Sequence, residues 1–393
     1  MEFISNNKFF NRYLPMFLSV LLIVAAVFAY QIFEKPQVAK AGFSFFRSIT
    51  VNSGQVPSTQ TAFPMLVSGT YSYLATAGNG GKVQNSSGYD VGFYASSDCS
   101  TGKMAWETEL YTAGNGKVVY WVKVPSIQNG SVIYMCYGDA TISSDQSNAS
   151  GVWDSNYKGV YHLADGTTLS AGDSTGNFNG TNAAAAATAG QIDGAADFNG
   201  SAQITTANTS NYGDFTACAW FKTTTNSAGQ RIVDKLYTTG FWMGENATGG
   251  FDSWGGGIEQ PISPNGIYVT LAHGSWHMLC NERSGSLQTI TGDGTVIATT
   301  TVVSTALDSN PIYIGAVSCC SSLANAFTGQ IDQVEISNIA RSADWIATEY
   351  NNQNSPGAFY TVSSETVSTP PKTGNFIQVG GKFRLVGGKI IIK

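Results

Sequence analysis

The sequence predicts an all-β protein: two β-sandwich domains after an N-terminal hydrophobic helix, with a short tail behind them. Three observations carry this. Short segments of alternating apolar and polar residues recur along most of the chain, the period of half-buried strands. Turn dipeptides separate them, among them Asn79-Gly80, Asn115-Gly116 and Asn129-Gly130, which reach positive φ at little cost. No helical period of useful length appears between residues 46 and 145.

The composition bounds the function. Charged residues make up 12% of the 393, about half the share usual in globular proteins. A polar but sparsely charged surface suits an exported β protein. The net charge of −6 and the scattered Lys and Arg residues offer no footprint for nucleic acid.

Residues 1–41 read as a targeting segment. Lys8 and Arg12 precede an apolar run from Leu14 to Phe33, Pro36 breaks it, and Ala39-Lys40-Ala41 supplies a small-x-small motif before Gly42. A basic region, an apolar core and a cleavage motif in that order form a signal peptide. The run also has about the ~20 residues needed to cross a bilayer, so an uncleaved anchor stays open. It would be the chain's only membrane contact. Either way the remainder is expected outside the cell or on its surface.

Residues 42–150 form the first expected domain, with alternating segments at Arg47–Val51, Tyr89–Tyr94, Lys117–Val124 and Ser131–Tyr137. Over Phe46–Ala149 these segments, with Trp121-Val-Lys-Val-Pro125 and Tyr137-Gly-Asp139, resemble a domain of unknown function from bacterial and phage-associated surface proteins. That domain often precedes a laminin-G-like module.

Residues 151–352 form the second expected domain, reached through Gly151–Leu163. Gly190–Gly200 places a strand between Gly-rich turns, and Phe327–Ser337 alternates with Ile331, Val334 and Ile336 as apolar positions. Phe215–Lys222 and Ser275–Cys280 read as central strands. Ser342 is placed to cap a short helix over Ala343–Asn351, with Trp345, Ile346 and Tyr350 on its inner side. The Ala183–Ala187 run reads as a loop. Together these segments resemble a laminin-G-like, concanavalin A-like jelly roll. The resemblance implies a surface recognition module whose commonest ligand class is glycan. Residues 353–393 read as a linker and tail, in which Ile377–Phe383 and Arg384–Ile390 repeat a seven-residue unit around Gly-Gly.

Six cysteines are present without a CxxC pair, which disfavours zinc. Cys99–Cys136 and Cys218–Cys280 are candidate bridges in an oxidising compartment, and buried free thiols fit the same positions. Adjacent Cys319 and Cys320 do not suit a bond to each other.

Jelly-roll glycosidases need two carboxylates on one strand face, ~5–5.5 Å apart in retaining enzymes. Asp332 and Glu335 are oddly spaced and are expected on opposite faces. Glu107 and Glu109 share a face but fall in the first domain, where they read as solvated charges. His162, His273 and His277 do not cluster in sequence. No catalytic residue is assigned. Asp165, Asp173 and Asn177 crowd one loop and, with Asp332, form a candidate structural calcium set. For glycan the richest stretch is 241–257, where Trp242 and Trp254 would stack on a sugar and Glu245, Asn246 and Asp252 would bond its hydroxyls. The reading that follows is an exported, non-catalytic protein that binds a polysaccharide or surface glycan. The rival readings are a structural or adhesive component of a virion or cell envelope, and a jelly-roll glycoside hydrolase.

Overall fold

The computed structural model describes residues 42–164, 168–225, 229–235, 240–245, 251–255, 271–301, 309–319, 322–368, 383–386 and 389–392. Asp165, Asn246 and the targeting segment therefore lie outside the described residues, as do the side chains of Asp252 and Trp254.

The first stretch supplies β1 (Phe45–Val51), β2 (Gln60–Thr70), β3 (Val91–Tyr94), β4 (Trp106–Thr112), β5 (Lys117–Ile127) and β6 (Val132–Tyr137). Then come β7 (Tyr157–Tyr161), β8 (Gly180–Ala183), β9 (Ala186–Ala189), β10 (Gly194–Asn199), β11 (Gln203–Thr206) and β12 (Phe215–Lys222). They are followed by β13 (Arg231–Asp234), β14 (Phe241–Glu245), β15 (Phe251–Gly255), β16 (His277–Ser284), β17 (Leu287–Gly292) and β18 (Thr295–Thr301). The closing group is β19 (Tyr313–Ile314), β20 (Val317–Cys319), β21 (Ser322–Ala324), β22 (Thr328–Ser337), helix α1 (Ala343–Asn354), β23 (Tyr360–Val362) and β24 (Thr366–Val367). The Ala183–Ala187 run, expected as a loop, is largely strand: Ala183 ends β8, Ala186 and Ala187 open β9, and only Ala184, at φ 70°, and Ala185 connect them.

Four sheets make two sandwiches. In the first, β23-β1-β6-β3, with β24 also on β1, faces β2-β5-β4. In the second, β18-β17-β16-β12-β22-β10-β9, with β7 beside β22, faces β15-β14-β13-β19-β11-β8. This second sandwich is the expected jelly roll. Its two diagnostic strands pair directly, Ala196 opposite Ile331 and Phe198 opposite Gly329. Between the sheets lie Ala217, Ala219, Phe221, Leu279, Ile331 and Val334 from one side and Ile204, Ile232, Phe241, Met243 and Ile314 from the other.

Phe43–Thr369 is one compact unit. The outer face of the larger jelly-roll sheet is not solvated: Cys218, Trp220, Met278 and Cys280 join a core that includes β2, β5 and α1. Alternation along β12 dictates this, since Ala217, Ala219 and Phe221 face one way and Cys218 and Trp220 the other. Helix α1 is the wedge. Ser342 Oγ accepts from Trp345 N at 3.1 Å, the expected cap. Trp345 packs edge-on against Phe63 of β2, with ring centres 5.1 Å apart. Asn352 offers its amide to the β2 backbone, accepting from Leu66 N at 2.6 Å and donating to Leu66 O at 3.0 Å. A side chain thus completes an edge strand that would otherwise leave buried backbone groups unpaired. After α1 the chain returns to the first sandwich, where β23 and β24 pair with β1.

Cys99–Cys136 and Cys218–Cys280 are both disulfide-bonded. The second links directly opposed residues of β12 and β16. In the separate C-terminal unit, β25 (Phe383–Val386) and β26 (Lys389–Ile392) pair as an antiparallel hairpin.

Candidate functional site

Where β4 meets β7 and β22, the chain buries a run of polar groups between the sandwiches. Glu107 and Glu109 are not solvated charges. Glu107 accepts from Trp153 Nε1 at 3.0 Å and Ser174 Oγ at 2.6 Å. Glu109, set in a β4 bulge between Thr108 and Leu110, accepts from Trp121 Nε1 at 2.7 Å. His162 stands between the two carboxylates, stacked on Trp121 with centres 5.3 Å apart. Its Nε2 lies 3.3 Å from Glu107 Oε2 and its Nδ1 3.5 Å from Glu109 Oε2. Nδ1 also bonds Gln333 Oε1 at 2.6 Å. Burial pushes the imidazole down, but Glu109 and Glu107 more than offset it, and its pKa is raised to about 10. Burial raises Glu109, whereas His162 and the hydrogen-bond donors overcome burial at Glu107 and lower it. The run continues as Gln333 and Gln353 donate to Glu335 Oε1 at 2.8 and 3.1 Å, and Trp220 Nε1 donates to Gln353 at 2.6 Å.

Asp332 and Glu335 correct the sequence expectation. Cys218 pairs with Glu335 and Trp220 with Asp332, with a bulge between. Gln333, at φ 46°, is the extra residue. One inserted residue reverses the parity, so both carboxylates share the face turned toward the first sandwich. Both are buried, and Asp332 Oδ2 accepts from the backbone of Gln191 and Ile192 at 2.8 and 3.0 Å. Burial holds the Asp332 carboxyl well above the usual range.

Asp173, from the proposed calcium loop, is also buried. Its Oδ1 accepts from Val160 N and Thr175 N, and its Oδ2 from Thr175 Oγ1, Asn177 N and Phe178 N. The carboxylate organises its own loop. Asn177 is exposed. Among the described residues, no group of three or more His, Cys, Asp or Glu is arranged to hold a metal ion.

The expected glycan stretch lies on β14 and β15, at one margin of the smaller jelly-roll sheet. Trp242 pairs with Trp254 and Gly244 with Asp252, positions on one face. Glu245 belongs to the other face. It is fully buried, accepting from Gln230 Nε2 at 2.6 Å and lying 3.2 Å from His273 Nε2. Trp242 is only 6% exposed. The Arg231 guanidinium lies 3.7 Å above its ring centre and is held by Asp234 at 3.1 Å. The indole Nε1 is buried without a partner among the described residues. Trp242, Asp252 and Trp254 are therefore brought together in register, and Glu245 is not with them. The sequence reading missed Arg231, whose place over the ring depends on the β13–β14 register.

Residues 193–347 match the family described as the Concanavalin A-like lectin/glucanases superfamily. Residues 87–175 match a domain of unknown function (DUF2341). The second match includes β7, which joins the jelly-roll sheet. The chain thus carries a concanavalin A-like module preceded by this second domain type. No curated protein sequence matches the chain. Among solved structures, domain 4 of AbnA, an extracellular arabinanase from Geobacillus stearothermophilus, in complex with arabinotriose, is 17% identical, with a TM-score of 0.41 over 50% of this chain and 98% of that one. The Ruminococcus gnavus IT-sialidase CBM40 is 13% identical, with a TM-score of 0.30 over 36% and 84%. The binding domain of Paraclostridial Mosquitocidal Protein 1 is 14% identical, with a TM-score of 0.36 over 50% and 52%. These overlaps are too shallow to transfer any residue's role.

Proposed function

We propose that this is an exported surface protein that binds glycan, without catalysis, on the outer face of the smaller jelly-roll sheet. The observation that carries the reading is the register of Trp242 opposite Trp254, inside a segment that matches a lectin and glucanase superfamily. An indole N–H without a partner beside an Arg guanidinium suits a hydroxyl-rich ligand. The two disulfides support an oxidising compartment. The non-catalytic reading is supported by the state of the paired carboxylates. Glu107 and Glu109 are engaged by Trp153, Ser174, Trp121 and His162, and Asp332 and Glu335 are buried.

Trp254→Ala is expected to weaken glycan binding about tenfold or more, the usual loss at a central aromatic anchor. Trp242→Phe keeps a ring beneath Arg231 but removes the N–H, and is expected to weaken binding with the fold intact. Titration calorimetry beside a melting curve reads both; full-strength binding by both folded variants would place the site elsewhere. Calcium belongs to this reading as a structural ion at the Asp165–Asn177 loop. A cation there would have to displace backbone donors from Asp173. A melting temperature that rises with calcium supports it; identical curves in calcium and in chelator leave the loop held by its hydrogen bonds.

A further inference from the structure

We propose that a groove along β4, between the first sandwich and the segment that follows β7, is a second carbohydrate site and takes an uncharged glycan chain. It uses none of the residues on the jelly-roll face. Two clefts, of about 440 and 560 Å³, meet at Thr108 and Glu109, which line both. Each alone has the volume of a small-ligand site, ~300–1,000 Å³, and together they suit an extended chain.

The β4 bulge sets Glu109 at the junction, the re-aiming of a side chain that such bulges accomplish. Beyond it the first cleft has half-buried rings, Tyr89 and Tyr111, with hydroxyls from Ser86 and Ser87. Gly88 lies against the Tyr111 ring, where a Cβ would come within 2.6 Å, so one face of that ring is covered and the wall is fixed. The second cleft is walled by Ser150, Ser170 and Ser174 and floored by His162. The His162 side chain is 8% exposed and is paired with Glu107, its Nε2 lying 3.3 Å from Glu107 Oε2. The serine hydroxyls and the two tyrosine rings suit a hydroxyl-rich ligand with apolar C–H faces.

Charge selects the class of glycan. No Lys or Arg is among the described lining residues, whereas Glu107, Glu109, Asp145 and Asp173 are. Among the described lining residues the cation is His162, already paired with Glu107 and Glu109, so a polyanionic chain would meet carboxylates.

The test is titration calorimetry of the full chain with uncharged hexasaccharides of β-1,4-glucan, β-1,4-xylan and α-1,5-arabinan, and with a hyaluronan hexasaccharide as the polyanion. Ser87→Trp, at an exposed wall position, fills the groove without touching the core, and Tyr89→Ala removes a ring. With an uncharged probe the native chain is expected to show two sites. Each of these variants should lose one, by about tenfold or more, and Trp254→Ala should lose the other. If Trp254→Ala changes nothing while Ser87→Trp abolishes binding, the groove stands and the jelly-roll face fails. The groove is overturned if both groove variants, folded by circular dichroism, bind as the native chain does. It is also overturned if no uncharged probe binds, or if hyaluronan competes for it equally.

Discussion

His162→Ala is expected to destabilise the protein by roughly 3–5 kcal/mol at pH 7, the cost of removing one partner from a buried ion pair. The imidazolium is the counter-charge for two carboxylates at once, Glu107 and Glu109, and it stacks on Trp121. With its pKa raised to about 10, its contribution is fully present below the unfolded value of about 6.5 and is lost as pH rises through about 10. Glu107 has the opposite sign: its pKa is lowered, so its contribution is lost on acidification. Once His162 is gone, both carboxylates lack a counter-charge. The deficit of the variant should therefore shrink on acidification, as the variant's uncompensated carboxylates protonate and the native protein loses the Glu107 contribution. Adding Glu107→Gln and Glu109→Gln to His162→Ala should recover part of the loss. Equal deficits at pH 4 and pH 7, measured by denaturant unfolding, would deny the charge argument.

Glu282→Gln is expected to act in the other direction and stabilise the protein at neutral and higher pH. Glu282 is 5% exposed in the middle of β16. Its Oε2 accepts from Thr291 Oγ1 at 3.3 Å, and its Oε1 is buried without a partner. Burial raises its pKa to about 8. The unfolded chain releases this proton near pH 4.3, so stability falls as pH rises between there and about 8, by roughly 1.4 kcal/mol per pH unit. At pH 7.5 removing the charge should gain on the order of 4 kcal/mol. The two proteins should be about equally stable near pH 4. Parallel stability curves from pH 4 to 9 would show that Glu282 is not held neutral.

The architecture was legible where pattern and partner agree. Gly190–Gly200 and Phe327–Ser337 carry the apolar positions that pair Ala196 with Ile331, and Ser342 announces its helix. The site was less legible, because parity counting assumes an unbroken strand. The extra residue at Gln333 brings Asp332 and Glu335 to one face, and nothing in Ile-Asp-Gln-Val-Glu-Ile marks the bulge. His162 and the β4 carboxylates are 53 and 55 residues apart in sequence and meet only because β7 leaves the first stretch to pair with β22. β23 is three residues long; its partner β1, more than 300 positions earlier, sets it. Trp242 did lie within the aromatic stretch that the sequence singled out. That Arg231 covers its ring depends on register across two strands.

We propose that the jelly-roll face binds glycan. The most direct test is a glycan array probed with the otherwise native chain and with Trp254→Ala side by side, both carrying Ser87→Trp so that the β4 groove is blocked, after circular dichroism has shown both to be folded. The expected result is retention of uncharged saccharides by the otherwise native chain and at least about a tenfold weaker signal from the Trp254→Ala variant. An array on which the folded, otherwise native chain retains no saccharide, or on which the two proteins give the same signals, would contradict it.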